Sequence, residues 1–273
     1  MLDFPEPVIR LAAFLGVFVV VALGEAAFPR RYRRVGRRRR WPGNLGIVLL
    51  NGAVLRILFP TAAVGVAIAA QAHGWGLLNL FPLHAWAALP LAVVALDLAV
   101  YVQHVIFHFV PALWRLHRMH HADLDFDVTT GLRFHPAEIV LSRLVKFAVV
   151  VAIGAPPIAV LVFEVLLNAT AMFNHANLRL PPRLDRLVRL VTVTPDMHRV
   201  HHSIVRAETD SNFGFNLPWW DHLFRTYRAQ PAAGHDAMVI GIDRFRDPAE
   251  LRLDRMLLQP LRRDGPENTK RPT

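Results

Sequence analysis

The sequence predicts an all-α integral membrane protein: a four-helix transmembrane bundle of two spans, a histidine-bearing span and a proline-broken hairpin, with a helical cap on the cytoplasmic face. Three observations predict it. Of 273 residues, 53% are hydrophobic and the mean hydropathy is positive, an unusual balance for a soluble domain. The formal net charge is nevertheless +10, so basic and apolar residues must be segregated; eight arginines crowd into "RRYRRVGRRRR" (Arg30 to Arg40). Finally, ten of the fourteen histidines fall between His104 and His202.

Taken in order, the first apolar stretch is Val8 to Phe28, preceded by Asp3 and Glu6 and followed by the arginine block. A secretory signal has the opposite charge order, so an anchor that stays is expected. Because the block lies between two stretches long enough to span a bilayer, a loop against anionic lipid headgroups is favoured over a nucleic-acid arm. The second stretch runs from about Leu45 to Ala70, and the third from Leu83 to about Phe109. The fourth, Ile139 to Phe173, is too long for one crossing and is broken by "GAPP" (Gly154 to Pro157), which predicts a hairpin of two half-length or tilted helices.

Positive residues mark the cytoplasmic side, so the arginine block is expected there. Counting crossings then brings "HRMHH" (117–121) and "HRVHH" (198–202) to that same side. A single crossing in the fourth stretch would have parted them. Arginine supplies nearly all the basic charge and alanine is abundant, a bacterial signature that suggests an inner-membrane location. Pro248 to Leu261 has the leucine spacing of an amphipathic helix, and the polar residues after it are expected to be disordered.

Each HRxHH places histidines at i, i+3 and i+4, on one face of a helix. His104 and His108 form a further i, i+4 pair and share a stripe with Asp97 and Tyr101. An acid within a span is costly and commonly functional, and Asp97 is placed to orient an imidazole nitrogen from behind, with Tyr101 beside it. His104, His108, His117, His120, His121, His198, His201 and His202 supply eight imidazoles, more than one ion needs, so two metals are implied. His175, where the hairpin exits, can be a ninth ligand; His135, in "RFHPAE", can be a tenth or can support one. His73, His84, His222 and His235 read as ordinary hydrogen-bonded core residues.

The chain has no cysteine, which excludes thiolate ligands, iron–sulfur clusters and a cysteine nucleophile from it. HExxH is absent as well, and zinc hydrolases rarely use so many nitrogens. Two redox metals held by nitrogen beside a membrane suit the activation of dioxygen against an unactivated hydrocarbon. The reading from another class is a non-catalytic membrane metal protein, a zinc or iron transporter or sensor. That reading calls for polar residues on several spans, whereas only Asp97, Asn51 and Arg56 qualify.

The ordered set "HVIFH", "HRMHH" and "HRVHH", with an apolar hairpin before the last, resembles the fatty acid hydroxylase or sterol desaturase superfamily of membrane di-iron oxygenases. "TPDMHRVHHS" and "TDSNFGFNLPWWDHLFRTY" resemble its third box and the segment after it, especially in the bacterial branch. The resemblance implies two irons on the eight box histidines plus His175, dioxygen as co-substrate, and hydroxylation or desaturation of a fatty acyl, sterol or related lipid. It departs at Val105, where first boxes often carry arginine after the histidine. With no "HPGG" or GxGxxG, electrons are expected from a separate donor such as a ferredoxin or small haem protein. The expected organisation is a first span with the arginine loop (1–43), a second span with an external loop (44–82), a catalytic domain (83–230) and a tail with an amphipathic helix (231–273).

Overall fold

The structure is a computed structural model that describes residues 6–262. Asp3 and the polar residues from 263 onward lie outside the described part. Among the described residues there is no β-strand, only two isolated bridges. Ten helices build the bundle and its cap: α1 (Glu6–Ala27), α2 (Arg37–Leu58), α3 (Ala63–Ala72), α4 (Leu77–Leu80), α5 (Ala85–Phe109), α6 (Pro111–His121), α7 (Pro136–Ile153), α8 (Pro157–Asn174), α9 (Pro182–Val188) and α10 (Pro195–His201). Four short helices follow: α11 (Arg206–Thr209), α12 (Trp219–Leu223), α13 (Gly234–Ala237) and α14 (Leu253–Leu258).

Four stretches, α1, α2 to α4, α5 and α8, are long and apolar enough to cross a membrane. Many of their large apolar side chains face outward, as lipid requires; Val20, Leu49 and Ile57 are among the most exposed. Where α3, α5, α7 and α8 meet, the core is built on alanines, with Ala63, Ala67, Ala92 and Ala159 packed around Leu96 and Phe163. Small residues let helix backbones approach closely in lipid, where packing replaces the hydrophobic drive. Trp75, Phe81 and Trp86 stand exposed at the end remote from the histidines, as interfacial aromatics do.

The proline break falls where the sequence placed it, but each arm of the hairpin has 18 residues, about 27 Å at ~1.5 Å per residue. The arms are therefore near-full-length helices rather than half-length ones. Gly154 ends α7 in the left-handed conformation (φ 64°), and its N–H and that of Ala155 bond back to Val151 and Val150. The turn is pressed against Gly76, where an added Cβ would lie 2.2 Å from the Gly154 nitrogen. That contact sets the α3–α4 junction beside the hairpin turn, at the end away from the cap.

Two further expectations change. The second stretch is broken between Leu58 and Ala63, because Pro60 cannot donate the N–H that a continuous helix needs. Pro248 to Leu261 is not one amphipathic helix but three short pieces, with prolines 248 and 260 beginning two of them. It lies on α2 and α6, where Met256 packs against Ile47 and Met119.

The arginine block is divided between the interior and the surface. Arg40 is fully buried, bonded to both oxygens of Asp123 at 2.7 Å and to Asp127 at 2.6 Å. Arg37 reaches Glu25 at 2.8 Å, Arg30 reaches Asp236 at 2.7 Å, and Arg31 is buried against the His235 carbonyl. Arg34, Arg38 and Arg39 remain exposed. Asp125 accepts from the backbone of Arg34 and Val35, so residues 123–127 fasten the cap to the loop after α1.

Candidate metal centre

Both HRxHH patterns form helix ends. Pro111 starts α6; Pro195 starts α10 behind Thr194, whose hydroxyl accepts from the Met197 N–H. In each, the three histidines turn inward while the arginine fastens the helix from outside. Arg118 donates to the Gln259 carbonyl at 2.7 Å, and Arg199 donates to the Ala176 carbonyl, pairs with Asp196 and covers Phe126. The repeated pattern is one local device, a short helix with a histidine face and an arginine anchor.

Nine histidines converge, all buried. His104, His108, His117, His121 and His201 form one group, and His120, His175, His198 and His202 a second; within each, the facing ring atoms lie within 4.8 Å of one another. The groups adjoin, with the rings of His121 and His202 stacked 4.6 Å apart. His175, one residue past α8, is the hub of its group: its Nε2 lies 3.1 to 3.2 Å from Nε2 of His120, His198 and His202.

The back side of the rings fixes their tautomers. Nδ1–H of His104 donates to the Phe213 carbonyl (2.7 Å), that of His201 to Ser211 (2.7 Å), that of His117 to Glu138 (2.7 Å) and that of His108 to Asp210 (3.1 Å). With Nδ1 carrying the proton, a ligating ring presents its Nε2 lone pair to the centre. Nε2 of His104 stands 3.1 Å from Nε2 of both His117 and His201, a contact of lone pairs that repels unless a cation lies among them. His175 Nδ1–H likewise donates to Ala171, and its one Nε2 lone pair cannot satisfy three neighbours. Nε2 of His108 and both ring nitrogens of His121 are buried without a hydrogen-bond partner. This donor set fits two metal ions.

Burial first, and then the neighbouring imidazoles, hold His120, His121, His198, His201 and His202 well below the ordinary imidazole range. Burial likewise pushes His175 down to about 3. The rings are thus neutral, the state a ligand needs. Phenylalanines close the site: Phe134 stacks on His120 at 4.5 Å, and Phe213, Phe215 and Phe126 contact the other rings. Trp219 and Phe224 are instead about half exposed, so the aromatics after the last pattern split between site wall and surface.

His135 stands outside both groups. It caps the start of α7, its Nδ1 accepting from the Ala137 N–H, because Pro136 and the turn before it set its ring on the helix end. Asp97, expected behind an imidazole, instead accepts from Trp220 Nε1 at 2.8 Å and the Leu217 N–H at 3.3 Å. Two turns along α5 separate it from His104. Tyr101 bonds Thr226 at 2.8 Å. Both residues brace the segment carrying Phe213 and Phe215 rather than a ring nitrogen. Glu138 and Asp210, which do hold rings, were missed by the sequence reading. Their only signal is an acid two residues beyond "HP" and another before "SNF".

From the histidines a cavity of about 630 Å³ runs into the bundle between α1, α2, α5, α7 and α8. His104, His117 and Glu138 line one end, and Leu55, Leu96, Val100, Phe107 and Leu167 are among its walls. Its size suits a lipid tail.

A sequence model described as fatty acid hydroxylase matches residues 89–226. An ornithine lipid hydroxylase of Rhizobium tropici is 27% identical over 231 residues, 80% of this chain and 66% of the relative. The alkylglycerol monooxygenase of Homo sapiens is 30% identical over 140 residues, 51% of this chain and 30% of the relative. That of Xenopus tropicalis is 28% identical over 188 residues, 67% of this chain and 41% of the relative. The chain thus spans just under two thirds of the first and less than half of the other two. No solved structure matches.

Proposed function

The chain belongs to the fatty acid hydroxylase family, and from that premise we propose that it is a membrane lipid hydroxylase holding two irons on nine histidines. The observation that carries the reading is the convergence of two groups of buried imidazoles at the end of an apolar cavity. His104, His108, His117, His121 and His201 would hold one iron, and His120, His175, His198 and His202 the other. The catalytic domain is assigned to residues 83–230, with the cap and the arginine block facing the cytoplasm of a bacterial inner membrane.

When bound, the irons supply the reductive activation of dioxygen and the oxidation of a C–H bond. The overall reaction takes the lipid C–H, one dioxygen, two electrons and two protons to the alcohol and one water, with the electrons from a separate donor such as a ferredoxin or small haem protein. The chain's own groups provide the setting. Carbonyls of Phe213, Ser211 and Ala171 and the carboxylates of Glu138 and Asp210 lock ring orientation, so ligand geometry is preorganised. Phe107 and Leu96 wall the slot and keep bulk water from the reacting carbon. The names of the relatives, ornithine lipid hydroxylase and alkylglycerol monooxygenase, support a polar lipid as substrate.

The test compares lipid extracts of cells making the chain with those making its His120→Ala variant, both grown under heavy-isotope dioxygen. The expected result is a lipid bearing one heavy oxygen, present only with the unaltered chain. Identical extracts from both, with the protein inserted and metal-loaded, would remove the hydroxylase reading.

A further inference from the structure

The end of the cavity remote from the histidines is charged. Arg10 of α1, Arg143 and Lys146 of α7 and Glu164 of α8 all line it, span residues that the sequence reading passed over when it counted only Asp97, Asn51 and Arg56. Lys146 Nζ lies 2.7 Å from Glu164 Oε1, Arg10 Nη2 lies 2.6 Å from Glu164 Oε2, and Arg143 reaches Glu164 at 3.4 Å. Glu6 takes the remaining edge of Arg10 at 2.7 Å. Among the described residues three cations thus face two carboxylates, which leaves one positive charge in excess among membrane helices. Charges at such depth are expensive and are commonly kept for a ligand.

Resting on the hydroxylase reading, we propose that this cluster is the headgroup site for the substrate, and that the head it takes bears a carboxylate or phosphate. Arg143, with the longest tie to Glu164 of the three cations, supplies the planar fork that such a head pairs with. Glu164 holds the cations in place and leaves room in the charge balance for a single anion, which also suits a zwitterionic head whose ammonium approaches Glu164 or Glu6. Gln103 and Ser142, bonded to each other at 2.7 Å along the same wall, continue the polar track a short way before the apolar slot.

The cluster also measures the chain. Glu138, which touches His117, and Lys146 are eight residues apart on α7, about 12 Å at ~1.5 Å per residue. An extended chain advances roughly 1.2 Å per bond. A head held at Arg143 and Lys146 therefore presents to the histidines a carbon about ten bonds away, in the tail and not beside the head.

The experiment measures binding to the purified full-length protein in mild detergent, by competition against a fluorescent fatty acid. The probes are hexadecanoate, its methyl ester and hexadecyl phosphate. The site predicts that at least one anion outcompetes the uncharged ester by about tenfold. It further predicts that Arg143→Gln with Lys146→Gln removes this preference and that Arg143→Lys, which keeps the charge but loses the fork, weakens it. Preference for the carboxylate alone points to a fatty-acid or amino-acid head, and preference for the phosphate to a phospholipid. Equal binding of acid, phosphate and ester by the unaltered protein overturns the proposal without any variant, as does a preference that survives the double substitution. The His120→Ala protein is expected to keep the preference, which separates the two readings. Unoxidised lipids with the preference intact would remove only the hydroxylase, and oxidised lipids without it only the headgroup site.

Discussion

A ring nitrogen's partner decides what the other nitrogen can do, and in this centre that partner is often a residue without any motif. Glu138 fixes the tautomer of His117 from a different helix, and Asp210 does so for His108. Glu138→Gln keeps the shape, but with its amide N–H turned toward Nδ1 the ring proton moves to Nε2 and the ligand lone pair is lost. Loss of such a support costs about 10- to 100-fold in metal affinity; chelator competition on the purified variant measures it, and unchanged retention would count against the role. That the eight box histidines come together was legible because i, i+3, i+4 and i, i+4 spacings map directly onto one helix face, and His175 joins them because the hairpin exit returns the chain to the same end. His135 was over-read because a histidine before proline in a histidine-rich stretch looks the same whether it binds metal or caps a helix. Asp97 was over-read because a stripe on α5 fixes direction but not depth, and two turns put it beside Trp220.

Among elements, the loop from Asp123 to Arg133 joins the arginine block to the second histidine group. Arg40 binds Asp123, Asp127 and Thr130, and Gly131 packs so tightly that a Cβ there would lie 2.4 Å from the Ala171 carbonyl and 3.0 Å from His175 Nδ1. Arg40→Met strands two buried carboxylates, a loss of about 3–5 kcal/mol. Thermal unfolding of the variant in detergent is expected well below that of the parent, with metal lost at the same temperature; an unchanged midpoint would show that the pairing contributes little. The sequence showed the arginines as a charge run and passed over the alternating aspartates in "DLDFDVTT". Pairing between segments about eighty residues apart leaves no local periodicity. The hairpin was legible because a glycine and two adjacent prolines fall together in "GAPP", whereas the single Pro42 and Pro90 are accommodated inside α2 and α5. The break at Pro60 was missed because hydropathy runs through it unchanged, and the break before Leu253 because leucine spacing continues across it.

The whole molecule has two unlike ends, with histidines, arginines and paired acids at one and Trp75, Phe81 and Trp86 exposed at the other. If the bundle spans a membrane, reagents reach the ends from opposite sides. The parent has no cysteine, so Tyr32→Cys and Phe81→Cys each give a single label site at a position 98% and 71% exposed. In intact cells an impermeant maleimide is expected to label Phe81→Cys and to reach Tyr32→Cys only after lysis; labelling of both in intact cells would contradict the sidedness. The central claim, that nine histidines hold two irons, is tested most directly by metal content per chain after expression with ample iron and purification in mild detergent. The account predicts close to two irons per chain, with less in His104→Ala and His175→Ala, each of which removes the hub of one group. Tightly held zinc alone, or iron content unchanged by both substitutions, would contradict it.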